Sequence, residues 1–200
     1  MFTSQFQEFI RSTARRLVRA TGLERVSPNT LTLVGLLVSI GSGVLVGCGL
    51  LVIGGVVLLL ASLFDILDGA VARVTGKVYR YGAFFDSMVD RYAEAATSVG
   101  LIVHFQLASG KATVEPILII AALAGSLLVS YVRARAQSLG FVCDGGILAR
   151  PERVVLTVIG LLIPPLLLPV LWILAVLTNV TALQRIWFVY GQSRATAAAD

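Results

Sequence analysis

Six apolar stretches, beginning near Thr30, Leu51, Gly82, Glu115, Val154 and Leu166, follow one another along this chain. A helix needs about 20 residues to cross the hydrocarbon core of a bilayer, so the sequence has room for six spans. The last two share residues 152–188 across Pro164-Pro165. A proline pair ends a helix there and Pro169 favours a new start, so both spans are expected to be short. With 57% hydrophobic and 14% charged residues and a mean hydropathy of +0.90, the composition lies outside the range of a soluble domain. The expectation is an all-α integral membrane protein, a single domain over residues 1–200, with a six-helix bundle over residues 29–188. The glycines of the first two spans, Gly41, Gly43, Gly47, Gly49, Gly54 and Gly55, read as packing positions that let helices approach closely in lipid.

Charge sets the orientation, because loops rich in Lys and Arg stay in the cytoplasm. Six spans put both termini on one side, and fifteen of the sixteen basic residues fall on that side, with only Lys111 opposite. Both termini are therefore expected to be cytoplasmic. The net charge of +5 gathers on one face, which suits anionic lipid head groups and phosphorylated small molecules. No basic-aromatic module for nucleic acid accompanies it. Within residues 2–20, Phe2, Phe6, Phe9, Ile10, Thr13 and Leu17 recur at helical spacing with Arg11, Arg15, Arg16 and Arg19 largely off that stripe. This predicts an amphipathic juxtamembrane helix, lying in the interface or packed on the bundle. Cys48 and Cys143 fall on opposite sides of the membrane, which excludes a disulfide between them.

Against this apolar background, residues 63–92, LFDILDGAVARVTGKVYRYGAFFDSMVDRY, carry four aspartates. Asp65 and Asp68 stack on one helical face at i and i+3, and Asp86 and Asp90 on another at i and i+4. One Asp at the centre of a span costs roughly 2.5 to 3.5 kcal/mol, so four together need compensation or a wet cavity near the interface. Two divalent cations balance four carboxylates, and hard oxygen ligands suit Mg²⁺ or Mn²⁺. Gly69 and Gly82 remove side chains beside the acidic faces, where a phosphorylated ligand can approach the backbone. Two metals can hold a diphosphate and orient an attacking hydroxyl while a carboxylate takes its proton. An ion pathway, or an ion-pair network with Arg73 and Arg91, is the alternative use of such acids. Glu94 continues the Asp86–Asp90 face one turn further and reads as a supporting hydrogen bond or ion pair. His104, near the outer end of the third span, is no ligand.

The run Asp65-x-x-Asp68-Gly69-x-x-Ala72-Arg73, eight residues, Gly82, three residues, Asp86, three residues and Asp90 resembles the signature of the CDP-alcohol phosphotransferase family at every fixed position and spacing. The resemblance covers nearly the whole chain. It implies displacement of CMP from CDP-diacylglycerol by an alcohol, a homodimeric assembly, and particular roles for the residues. Asp65, Asp68 and Asp86 would hold one metal and Asp65, Asp86 and Asp90 the other, with Asp90 also the proton acceptor. Gly69 and Arg73 would contact the CDP portion, and Asn29 and Thr30 in SPNTLT would lie beside the nucleotide. Ser27 and Asn29 equally suit a helix cap. Position 79 departs from the pattern, with Tyr79 where relatives often carry Thr or Ser, so the resemblance implies a contact with CDP-diacylglycerol there that Tyr79 must rebuild or that is lost.

The signature is shared by enzymes with different acceptor alcohols, so the acceptor must be read elsewhere. SYVRARAQSLGFVCDGGILARPERVVL further resembles the bacterial members of the family that use inositol phosphate. The likeness implies that Ser130, Arg133, Arg153 and Arg185 grip the acceptor phosphate. Arg133 stands where relatives have lysine, which keeps the charge and changes its geometry. Arg133 and Arg135 also fit as charges that set topology. The expected product is phosphatidylinositol phosphate. Glycerol 3-phosphate is the rival acceptor, and a transporter with an acidic site is the rival class. A transporter should carry polar residues in several spans, whereas these acids cluster toward the cytoplasmic ends of two.

Overall fold

The structure is a computed structural model that describes residues 16, 18, 22, 25–76, 79–109 and 114–197. Among these residues the regular structure is entirely helical: α1 (Pro28–Gly47), α2 (Leu51–Thr75), α3 (Arg80–Ser109), α4 (Val114–Ser138), α5 (Arg150–Leu162) and α6 (Leu167–Ala197), with one 3-10 turn at Pro164–Leu166. The amphipathic helix expected over residues 2–20 lies almost wholly outside the described residues. Of that segment Arg16 and Val18 are described, both helical, and Val18 is buried with Leu31, Ala70 and Val71.

Among the described residues, four segments are long and apolar enough to cross a membrane: Pro28–Gly47, Leu51–Thr75, Val114–Ser138 and Pro164–Arg194. Two of the six expected spans fall outside that description, for different reasons. The 30 residues of α3 have the length, but Asp86, Asp90, Arg91 and Glu94 occupy its first half. The 13 residues of α5 rise only about 20 Å at 1.5 Å each, against roughly 30 Å of hydrocarbon. The expectation of two short final spans is corrected by α6, which runs 31 residues. Pro164 and Pro165 break the chain near the start of the segment, and Pro169 sits in the first turn of α6, where its missing N–H leaves no bond unmade. Nothing interrupts the helix after that, so the bundle continues past residue 188. The extension holds the 139–149 connection: the Gln192 side chain accepts from Val142 N at 3.1 Å and donates to Val142 O at 2.6 Å.

The bundle is inside-out by the standards of a soluble protein. Large apolar side chains such as Leu37, Val44, Leu60, Ile117, Ile120, Val176 and Leu183 are exposed, as a lipid-facing surface requires. The interior is held by apolar clusters and by close backbone approach. One cluster joins Val46, Leu58, Leu101, Ile119, Leu161 and Leu171 across all six helices. Where α1 crosses α3, a Cβ added to Gly100 would lie 2.1 Å from the Gly43 carbonyl oxygen, and one added to Gly43 would lie 2.5 Å from that of Ala96. These are backbone contacts that no side chain can yield to. Gly47, Gly54 and Gly55 also face neighbouring helices. Gly41 meets nothing within 4 Å, and Gly49 serves the turn after α1 with φ +87°. Cys48 is exposed beside that turn, Cys143 is buried in the 139–149 connection, and both are free.

Candidate active site

The start of α1, the end of α2 and the start of α3 meet at one end of the bundle, with the end of α4 and the start of α5. Alternating direction brings them there, because a short connection turns each helix back on its predecessor. The ordering is anchored by the Ser27 cap: its hydroxyl accepts from Thr30 N at 3.2 Å and lies 2.6 Å from the Thr30 hydroxyl. Ser27 thus fills the capping role, and it occupies the Thr30 side chain.

Asp65, Asp68 and Asp86 converge, one carboxylate oxygen from each lying within 4.8 Å of the others. The Thr32 hydroxyl of α1 donates to Asp68 Oδ2 at 2.6 Å and fixes that carboxylate in a buried position. Asp86 Oδ1 is buried with no hydrogen-bond partner among the described residues. A buried carboxylate oxygen is costly to leave unmatched, and two neighbouring carboxylates add repulsion to desolvation. A divalent cation removes both penalties. The all-oxygen donor set therefore fits a hard ion such as Mg²⁺ or Mn²⁺.

Asp90 stands apart from that triangle. Arg150, the first residue of α5, places Nη2 at 2.7 Å from Asp90 Oδ1 and Nη1 at 2.6 Å from Asp65 Oδ2. One turn further along α3, Glu94 accepts from Arg153 Nη2 at 2.9 Å and from the Ser126 hydroxyl of α4. Arg153 is only 5% exposed, its Nη1 reaches Leu148 O at 3.3 Å, and its Nε has no partner. The expected supporting role of Glu94 is thus an ion pair to a buried arginine.

These groups border a cavity between the helices. Asp65, Asp68, Asp90, Glu94, Arg150 and Arg153 line its polar part, and Leu101, Ile119 and Leu171 are among its apolar wall. The other predicted residues sit around this centre. Arg73 lies over Gly69, its guanidinium nitrogens at ordinary contact distance, 3.4 and 3.5 Å, from where a Cβ would stand. A Cβ at Gly82 would stand 3.5 Å from Tyr79 and 3.6 Å from Asn29, so the candidate nucleotide contacts Asn29 and Tyr79 share one place, beside the signature glycine Gly82. Of the acceptor candidates, only Arg153 lines the cavity. Arg185 donates from Nε to Gly145 O and from Nη1 to Val129 O, both at 2.7 Å. Arg133 pairs with Asp144 at 2.8 Å in an exposed position. Arg133, Arg153 and Asp144 are near enough to Arg185 to act on its charge, so three of the four share a neighbourhood. Ser130 is half-buried on α4, one turn beyond Ser126. His104 packs edge-on against Phe105 with ring centroids 5.2 Å apart, on the half of α3 beyond the acids.

Sequence reasoning missed Arg150, Thr32 and Ser126. Arg150 did carry a signal, because it precedes Arg153 by three positions and so shares its helical face.

Residues 25–189 match the CDP-alcohol phosphatidyltransferase family. The chain belongs to that family. This phosphatidyltransferase is 36% identical over 190 residues to the phosphatidylinositol phosphate synthase of Mycobacterium marinum, covering 88% of this chain and 80% of the relative. Its fold is similar to that of Mycobacterium tuberculosis phosphatidylinositol phosphate synthase crystallised with CDP-DAG bound. The two share a TM-score of 0.78 and 31% identity, over 92% of this chain and 94% of the other. The same mycobacterial enzyme in complex with manganese and citrate gives a TM-score of 0.77 at 32% identity, over 90% and 88% of the two chains. Metal-dependent transfer chemistry thus accords with the carboxylate triangle of this phosphatidyltransferase, an integral membrane protein of apolar helices.

Proposed function

We propose that this chain transfers the phosphatidyl group of CDP-diacylglycerol to a hydroxyl of inositol phosphate, releasing CMP and forming phosphatidylinositol phosphate. The observation that carries the reading is the Asp65–Asp68–Asp86 triangle beside a cavity whose polar lining also includes buried Arg153. The names of the relatives supply the acceptor. Asp65, Asp68 and Asp86 would hold one divalent ion, Mg²⁺ or Mn²⁺, and Asp65, Asp86 and Asp90 a second. When bound, the ions neutralise the diphosphate and stabilise the oxygen that leaves with CMP.

The protein's own groups do the rest. Arg73, lying over Gly69, and Asn29 and Tyr79, beside Gly82, orient the CDP portion. Arg153, supported by Ser130, Arg133 and Arg185, holds the acceptor phosphate. Asp90 takes the proton of the attacking hydroxyl as its oxygen bonds to the phosphatidyl phosphorus and the bond to CMP breaks. The reading includes six membrane crossings, with both termini and the site on the cytoplasmic side. It is supported by the basic residues that crowd this end of the bundle, Arg73, Arg133, Arg150, Arg153 and Arg185. The homodimer is part of the proposal on the family resemblance alone.

Two-substrate kinetics of Arg153→Ala tests the division of labour. Loss of a charge-assisted hydrogen bond worth roughly 1.5 to 3 kcal/mol should raise the KM for inositol phosphate about ten- to a hundredfold. The KM for CDP-diacylglycerol should stay within about twofold, which also shows that the site remains folded. A rise confined to CDP-diacylglycerol would move Arg153 to the lipid substrate and withdraw the acceptor assignment.

A further inference from the structure

Arg150 bridges two of the three carboxylates assigned above to the second metal. Its two terminal nitrogens reach Asp65 at 2.6 Å and Asp90 at 2.7 Å, one on α2 and one on α3. The first-metal group differs: Arg150 pairs within it with Asp65 alone, whereas Asp68 accepts from Thr32 and an Asp86 oxygen has no hydrogen-bond partner among the described residues. We infer that Arg150 is an internal cation that competes with the second divalent ion, so that the two metals bind unequally and the second enters only as the guanidinium withdraws. The inference rests on the two-metal reading.

Three features support a mobile counter-charge over a fixed strut. Both contacts are made by the ends of the fork, and Arg150 Nε is buried without a partner among the described residues, so withdrawal breaks these two interactions at that group. A second anion is near, because Glu94 lines the same cavity one turn beyond Asp90 and acts on the charge of Arg150. The carboxylates also need a cation whether or not metal is present, since buried charges of one sign are strongly unfavourable. An arginine meets that need in the metal-free protein and gives way to an ion of higher charge.

The test is Mn²⁺ binding to the purified protein in detergent, without substrates, followed by the electron paramagnetic resonance of free Mn²⁺. The wild type should bind two ions, the second more weakly. Arg150→Gln should tighten the second at least about tenfold, the order expected when a bidentate charge-assisted contact stops competing, and the first by less, since only Asp65 of that group is released. Arg150→Lys keeps the charge without the fork and should fall between them, and it decides the question if the glutamine variant does not fold. A second affinity unchanged or weakened in these variants would overturn the inference, because a strut that shapes the site loosens metal when it is lost. Fewer than two ions in the wild type would instead refute the two-metal reading beneath it.

Discussion

Asp90→Asn is expected to lower turnover with CDP-diacylglycerol and inositol phosphate at least about a hundredfold, the usual scale for losing a positioned general base. Asparagine keeps the size of the side chain and an oxygen that can accept from Arg150, now 2.7 Å away, so the helix packing has little reason to change. It cannot take the proton of the attacking hydroxyl, and it weakens any metal that Asp90 holds. The loss should appear chiefly in kcat, with a smaller rise in the KM for CDP-diacylglycerol as the second ion weakens, because the nucleotide contacts at Gly69, Arg73, Asn29 and Tyr79 lie elsewhere. Turnover within a few-fold of wild type would place the base at another residue.

Removing divalent ions is expected to abolish activity altogether, and Mg²⁺ or Mn²⁺ should restore it. The effect is large because the ions would supply both the charge that holds the diphosphate and the stabilisation of the leaving group, several kcal/mol of the barrier. The donor set offers carboxylates only, so softer ions that favour sulfur or imidazole should restore activity poorly. Stripping the protein with a chelator and adding ions back one at a time checks both statements. Full activity in the rigorously stripped enzyme would exclude the metal role of the Asp65–Asp68–Asp86 triangle.

The helical, membrane-embedded character and the acidic centre were legible because each rests on local pattern. Span-length apolar runs set the helices, and i, i+3 and i, i+4 spacing put the aspartates on facing surfaces. What depended on three-dimensional register was not legible. Gly41 and Gly43 look alike in sequence, yet only Gly43 meets a backbone across the α1–α3 crossing. The length of α6 is hidden in the sequence because three prolines within residues 164–169 mark a break without showing that 31 helical residues follow on its far side. Arg150 was counted only among the charges that set topology, since basic residues flank cytoplasmic span ends routinely. Its contacts to Asp65 and Asp90 span 85 and 60 positions of sequence, a pairing that only the folded bundle reveals. Arg185 was singled out for a phosphate, and the structure gives its guanidinium the carbonyls of Gly145 and Val129. Helix α4 and the 139–149 connection are thereby tied to α6, a tertiary arrangement that periodicity does not encode.

The most direct measurement of the central claim is an acceptor panel: purified protein in Mg²⁺ or Mn²⁺ with radiolabelled CDP-diacylglycerol and, separately, inositol phosphate, glycerol 3-phosphate, inositol, serine or choline. The account predicts label in phosphatidylinositol phosphate with equimolar CMP release, a slower rate with glycerol 3-phosphate, and with the unphosphorylated alcohols at most about a hundredth of the inositol phosphate rate, the discrimination that a site built to hydrogen-bond an anion can reach against analogues lacking it. Label appearing chiefly in phosphatidylglycerophosphate, or in a lipid from an unphosphorylated alcohol, would contradict it.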